Sequence, residues 1–253
     1  MAARQPEGPP PPPTVQRLRV AYAKRGRLRF SSHRDFQRAL ERALRRVEAP
    51  MAYSAGFTPH PKISYANAAP TGAASEAEYL ELGLSARCDP EQLRKALDDA
   101  LPDGLDILEI VESGPGGLVE RLEASWWRIE LRGGDVARAS AAVSALLAAD
   151  TVQVERLTKQ GIRSFDARGP VVALSVSDGR DAYPHGSCAI LDLVVRHTTP
   201  AVRPDDVLAA LRVVADFAPA SPPMVTRLAQ GPLDEGNGTV ADPLAPDRNL
   251  AAT

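Results

Sequence analysis

The chain reads as an α+β protein built of two ferredoxin-like βαββαβ domains in tandem, each an antiparallel sheet with its helices on one face. Three observations predict this. Short runs alternate apolar and polar residues at the strand period, and longer runs repeat apolar residues at the helical period. The order strand, helix, strand, strand, helix, strand then occurs once and is echoed in the second half. At 253 residues, 44% of them hydrophobic and 25% charged, the chain is long enough for two domains with a core each.

Residues 1–16 contain EGPPPPPT and are expected to be a disordered, proline-rich leader, with an adaptor ligand as the other use of such a run. Residues 17–30, RLRVAYAKRGRLRF, alternate basic and apolar residues on both sides of Gly26. Leu18, Val20, Tyr22, Leu28 and Phe30 are therefore expected to face a core, and the arginines solvent. Ser32 with Asp35 three residues later predicts a helix N-cap, followed by apolar residues at Phe36, Leu40, Ala43, Leu44 and Val47. Arg34, Arg38, Arg42 and Arg45 recur every three or four residues and form a ridge on its exposed side.

Residues 53–66, YSAGFTPHPKISYA, are broken by Gly56, Pro59 and Pro61, so they read as a loop entering a second strand at 63–66. Tyr79, Leu80 and Leu82 mark a third strand, Asp89 and Pro90 start a helix through Leu101, and LDILEIV at 105–111 closes the unit. Glycines and a proline at 113–117 divide the chain into a first domain at 17–116 and a second at 117–228. The second domain has a strand at 126–131, an alanine-rich helix at 135–148, and strands near 152–157, 171–176 and 190–195. Its second helix, at 204–214, begins on Pro204. Residues 229–253 have little apolar material and are expected to be a mobile tail.

Net charge is only -2, but residues 17–46 carry eleven Lys or Arg against Asp35 and Glu41, which leaves the rest of the chain at -11. A concentrated basic segment on an acidic protein points to a polyanion, most often a nucleic acid. Cys88 and Cys188 stand far apart without metal-ligand spacing, so neither a metal site nor a cofactor is expected. No run is long and apolar enough for a membrane span and no secretory pattern opens the chain, so a cytoplasmic protein is expected. Phosphate-loop and G-x-S-x-G signatures are missing.

Together these features predict an RNA-binding surface made of Arg25, Arg27, Arg29, Arg34, Arg38, Arg42, Tyr53, Phe57, His60 and Lys62. Cations neutralise phosphates and aromatic rings stack on unpaired bases. Alternatively, His33 and His60 supply the base and acid of a metal-independent RNA-processing endonuclease. A third reading is an adaptor whose basic face docks an acidic enzyme. The plainer structural alternative has His33 capping its helix, Phe57 and Tyr65 filling the core and His60 bonding backbone. Ser75, Glu76, Glu78, Tyr79 and Glu81 are either a magnesium or acid–base patch or a solvated strand edge. TKQGIRSFDAR at 158–168 offers Lys159, Arg163, Phe165 and Arg168 as an auxiliary contact or a charged hairpin tip.

The pieces AKRGRLRFSSHRDFQRALERALRR, YSAGFTPHPKISYA, PTG and SEAEY, in that order, resemble the radical SAM-linked protein family, a conserved domain of unknown function. The likeness is densest over 19–84, and weaker pieces extend it through most of the second half. It implies an accessory protein, stand-alone or fused behind a radical SAM enzyme. Joined to the basic surface, it leads to the expectation of a module that presents transfer or ribosomal RNA to an RNA-modifying or processing enzyme. The two isolated cysteines do not form a C-x-x-x-C-x-x-C cluster, so the accessory part alone is expected here. Ser31 and Arg34 stand where the family usually carries bulky apolar residues, and Arg34 adds charge to the helix face.

Overall fold

A computed structural model describes residues 11–158, 161–179 and 187–251. They form a mixed α+β structure with antiparallel strand pairing and five α-helices among the described residues. The chain divides into two compact units, Met1–Glu120 with Pro243–Thr253, and Arg121–Asp242.

The first unit runs β1 (Gln16–Lys24), α1 (His33–Arg46), β2 (Ile63–Ala66), β3 (Ala74–Leu84), α2 (Pro90–Ala100) and β4 (Leu105–Glu112). Its strands lie in the order β4-β1-β3-β2, with each neighbouring pair antiparallel. Alternation aims Leu18, Val20 and Tyr22 of β1 and Leu80, Leu82 and Leu84 of β3 into one core with Phe36, Leu40 and Leu44 of α1 and Leu93 and Leu97 of α2. Each such side chain contributes about 1.5–3 kcal/mol when fully buried. The Tyr22 and Phe36 rings stack at 4.3 Å and fix α1 on the sheet.

Helix α1 starts on a complete capping box: the Asp35 N–H donates to Ser32 Oγ (3.2 Å) and the Ser32 N–H to the Asp35 carboxylate (3.2 Å). The Ser32 hydroxyl and N–H hold that carboxyl below its ordinary range. Helix α2 is likewise capped by Asp89, with proline in its first turn.

Two expectations for this unit fail. Residues Gly26–Phe30 form a 3-10 turn instead of a strand, because Gly26 takes a left-handed φ of 54° and ends the extended run. Phe30 is therefore 60% exposed rather than in the core, with the Arg29 guanidinium over its ring at 4.6 Å. Arg19, expected to face solvent, is 1% exposed.

The second unit runs β5 (Ala124–Arg132), α3 (Val136–Ala148), β6 (Gln153–Thr158), β7 (Gly161–Asp166), β8 (Val171–Asp178), β9 (Cys188–Arg196), α4 (Pro204–Ala215) and β10 (Met224–Gly231). Its sheet order is β10-β5-β9-β8, again antiparallel, and β6 and β7 form a separate hairpin. With that hairpin set aside, the order of elements and strands repeats that of the first unit. Asp135 caps α3 through the N–H groups of Ala137 and Arg138, and Pro204 opens α4. A small antiparallel pair, β11 (Leu233–Asp234) and β12 (Thr239–Val240), follows.

The last helix, α5 (Ala245–Ala251), belongs to the first unit. Asp247 accepts from Arg19 Nη1 at 2.7 and 2.8 Å and from the Gly114 N–H at 2.9 Å, while Glu81 takes Arg19 Nε at 2.9 Å. This is why Arg19 is buried: its charge is met by two carboxylates. The end of the segment expected to be a mobile tail is instead packed on the first unit, by the buried Leu244 and by the ion pairs of Asp247 with Arg19 and of Arg248 with Glu109. The proline-rich leader ends in structure, since the Val15 N–H donates to Leu84 O at 2.8 Å and β1 begins at Gln16. Its first ten residues lie outside the described ones. No helix among the described residues is long and apolar enough to cross a membrane.

Candidate nucleic-acid interface

The face of α1 opposite the buried Phe36, Leu40, Ala43 and Leu44 carries Arg34, Arg38, Arg42, Arg45 and Arg46, all exposed. Spacings of four, four and three line up the first four over about 16 Å of helix. Among the described residues none of the five makes an ion pair. Elsewhere in the unit five arginines are matched, Arg19 to Glu81 and Asp247, Arg25 to Glu76 and Asp106, Arg87 to Glu112, Arg94 to Glu91 and Arg248 to Glu109, whereas Arg17, Arg27 and Arg29 make no ion pair among the described residues. The α1 ridge thus holds five arginines against the two acids of the same helix, Asp35 and Glu41, a concentrated excess of positive charge.

The loop leaving α1 is closed by its own backbone. Glu48 turns the chain with a left-handed φ of 52°, Met51 bridges to Leu84, and Tyr53 bridges to Pro61. The Ser54 N–H donates to His60 O (2.9 Å), the His60 N–H to Ser54 Oγ (3.1 Å) and the Lys62 N–H to Ala52 O (2.8 Å). Gly56, at φ 141°, and the two prolines serve this tight closure. Phe57 is left 69% exposed at the tip and Tyr53 39% exposed at the base. Between loop and helix lies a cleft of about 200 Å³, floored by Leu44 and Met51 and rimmed by Glu41, Arg45, Tyr53 and His60.

The ten residues expected to form one RNA surface divide. Arg34, Arg38 and Arg42 lie on the ridge, and Tyr53, Phe57 and His60 on the loop beside its C-terminal end. Arg27 is exposed on the 3-10 turn, and Arg29 lies over Phe30. Arg25 is engaged: its Nη1 meets Asp106 at 2.6 Å and its Nε meets Glu76 at 2.8 Å, so its charge is already met. Lys62 leaves the group, because strand alternation places it with Arg17, Ser64 and Glu81, where its Nζ donates to Thr14 Oγ1 at 3.0 Å. Arg45, Arg46 and Glu41 join the site instead. Their helical spacing from Arg38 and Arg42 was the available signal.

His33 and His60 are not brought together. His33, in the first turn of α1, contacts Gln37 (3.0 Å) and sets its ring edge-on to Tyr65 at 4.8 Å. It lines a small separate cavity with Lys24, Ser32, Phe36 and Glu78. His60 lines the cleft at the other end of the helix.

The acidic patch is structural. Glu76 pairs with Arg25, Glu81 with Arg19, and buried Glu78 accepts from the Ala69 N–H at 2.9 Å. No group of three or more metal-ligating side chains occurs among the described residues. In the second unit Phe165 is buried beneath the Arg156 guanidinium (4.6 Å), and Arg168 donates to the carbonyls of Val171 and Leu147 at 3.1 and 3.3 Å. Arg163 is exposed, and Lys159 lies outside the described residues.

Residues 17–204 match a family described as "Uncharacterized protein conserved in bacteria (DUF2344)". No curated protein matches the chain. Among solved structures it is similar to the "Crystal Structure of an Unknown Protein from Galdieria sulphuraria" at 15% identity, over 79% of this chain and 92% of that one. The TM-score is 0.24, too low to carry an argument about the fold.

Proposed function

The chain belongs to this uncharacterized bacterial family, and we propose that it is an accessory RNA-binding protein whose α1 ridge and Tyr53–Pro61 loop hold RNA for a partner enzyme. One observation carries the reading: five exposed arginines on one helix make no ion pair among the described residues, in a unit where Arg19, Arg25, Arg87, Arg94 and Arg248 each do. Phosphates are the polyanion that suits such spacing, and the exposed rings of Tyr53 and Phe57 suit unpaired bases. We assign each unit to the ferredoxin-like class on the support of its strand order.

The resemblance of the α1, loop and SEAEY motifs to radical SAM-linked proteins supports a radical SAM enzyme as that partner. The basic ridge extends the proposal to another RNA-modifying or processing enzyme of the cytoplasm, with transfer or ribosomal RNA as the cargo. A histidine-pair nuclease is not favoured, because its acid and base must reach one phosphate and His33 and His60 line different cavities.

A mobility-shift titration with total cellular RNA tests the proposal. Binding at about 50 mM salt that weakens steeply by about 200 mM is expected of arginine–phosphate contacts. Absence of a shift at the lower salt would overturn it.

A further inference from the structure

We propose that the cleft between α1 and the Tyr53–Pro61 loop is a pocket for one unpaired guanine base of the bound strand, a proposal that rests on the RNA-binding reading. The cleft's volume of about 200 Å³ falls below the roughly 300–1,000 Å³ of sites for drug-sized ligands, which suits one base better than a whole nucleotide. Its floor, Leu44 and Met51, is apolar, as the face of a base requires. Tyr53 stands at its mouth 39% exposed, a ring on which a base stacks.

Polarity decides which base. Glu41 is the acid on the cleft wall, and among the described residues it makes no hydrogen bond or ion pair, although Arg38, Arg42 and Arg45 surround it on the helix. An ionised carboxylate only accepts, and its two oxygens match a pair of parallel donors. Guanine presents such a pair, N1–H and the N2 amine, on its Watson–Crick edge. Duplex RNA buries that edge in pairing, so the pocket selects single strands. Arg45 and His60, on the same rim, take the phosphate of the inserted nucleotide, continuous with the ridge that holds its neighbours. The loop's cross-links from Ser54 to His60 and from Lys62 to Ala52 hold the rim in place before RNA arrives, which lowers the entropy cost of binding.

The test is fluorescence anisotropy with labelled 12-nucleotide RNAs: a single strand containing guanosine, the same strand with inosine in its place, and the guanosine strand as a duplex. Wild type is expected to bind the guanosine strand about 10-fold more tightly than the inosine strand, which lacks the N2 amine. Tyr53→Ala weakens single-strand binding about 10-fold. Glu41→Gln, which loses the paired acceptor for N1–H and the N2 amine, brings the guanosine and inosine strands to within about 2-fold of each other. Both side chains are at the surface, and an unchanged circular dichroism melt verifies folding. Equal affinity for guanosine and inosine strands in wild type, or no effect of Tyr53→Ala, overturns the pocket. If Arg38→Gln/Arg42→Gln still loses affinity in that case, RNA binding stands without it. No binding of any of these strands by wild type overturns both.

Discussion

The helix after the first strand is α1 in one unit and α3 in the other, and they occupy the same place in the same order of elements. α1 carries five arginines against two acids, whereas α3, VARASAAVSALLA, has Arg138 as its one charged residue. Both bury one face, through Phe36, Leu40, Ala43 and Leu44 in α1 and through Ala139, Ala142, Val143 and Leu146 in α3. The architecture is thus satisfied without a basic helix, and the arginines of α1 call for a different explanation.

The connections that follow differ in the same sense. Residues 47–62 form a short closed loop with exposed rings beside a cleft, while in the second unit residues 153–158 and 161–166 pair as β6 and β7. There Arg156 is tied to Asp206 and stacks on Phe165, so its charge is spent within the unit. The first unit leaves the arginines of α1 without ion pairs, whereas the second uses Arg156 in packing. The comparison places function on side-chain chemistry grafted on a repeated frame.

The largest effect is expected where the first unit depends on its returning C-terminal helix. Asp247→Ala leaves Arg19 buried with Glu81 alone and should cost about 3–5 kcal/mol. Urea unfolding measures it, and hydrogen exchange should show protection lost in β1 and β4. A change within about 0.5 kcal/mol would show α5 to be dispensable. Next in size, replacing Arg34, Arg38, Arg42 and Arg45 with Gln should weaken RNA binding about 100-fold at moderate salt. Replacing the exposed Arg138, Arg163 and Arg212 of the second unit with Gln should alter it less than about 2-fold. Equal losses from the two sets would erase the distinction between the units.

A smaller effect separates the units by pH. His197 is enclosed in the second unit, with its Nδ1 2.6 Å from Leu122 O and its Nε2 2.8 Å from Ser125 Oγ. Burial, helped by the Arg227 charge, holds its pKa below 6.5. The unfolded chain therefore binds a proton that the folded one resists, so the contribution is full above about pH 6.5 and is lost as pH falls through the lowered value. Stability measured from pH 7.5 to 5 should fall in wild type and fall less in His197→Gln. Parallel curves would remove His197 from the account of acid sensitivity.

Much of the frame was legible because its signals are local. The Ser32–Asp35 capping box, Asp89 with Pro90, Asp135 and Pro204 each announce a helix start within four residues, and all four helices begin there. Arg19 was illegible because its partner Asp247 lies 228 residues along the chain, and alternation alone gives an arginine to solvent. β7 escaped because its residues 161–164 are all exposed, leaving no apolar face to alternate. β10 escaped because MVTRLAQG follows a serine- and proline-rich stretch and has a weak period. The arginine ridge could be read from its spacing. The cleft could not, since it needs the left-handed turn at Glu48 and the Ser54–His60 closure to bring Tyr53 back to Arg45.

The most direct measurement is the slope of log Kd against log salt concentration for one single-stranded RNA, taken for wild type and for the variant with Arg34, Arg38, Arg42 and Arg45 changed to Gln. Four phosphate contacts at roughly 0.7 each predict a slope smaller by about 3 in the variant. Equal slopes in the two proteins would contradict the assignment of RNA binding to α1.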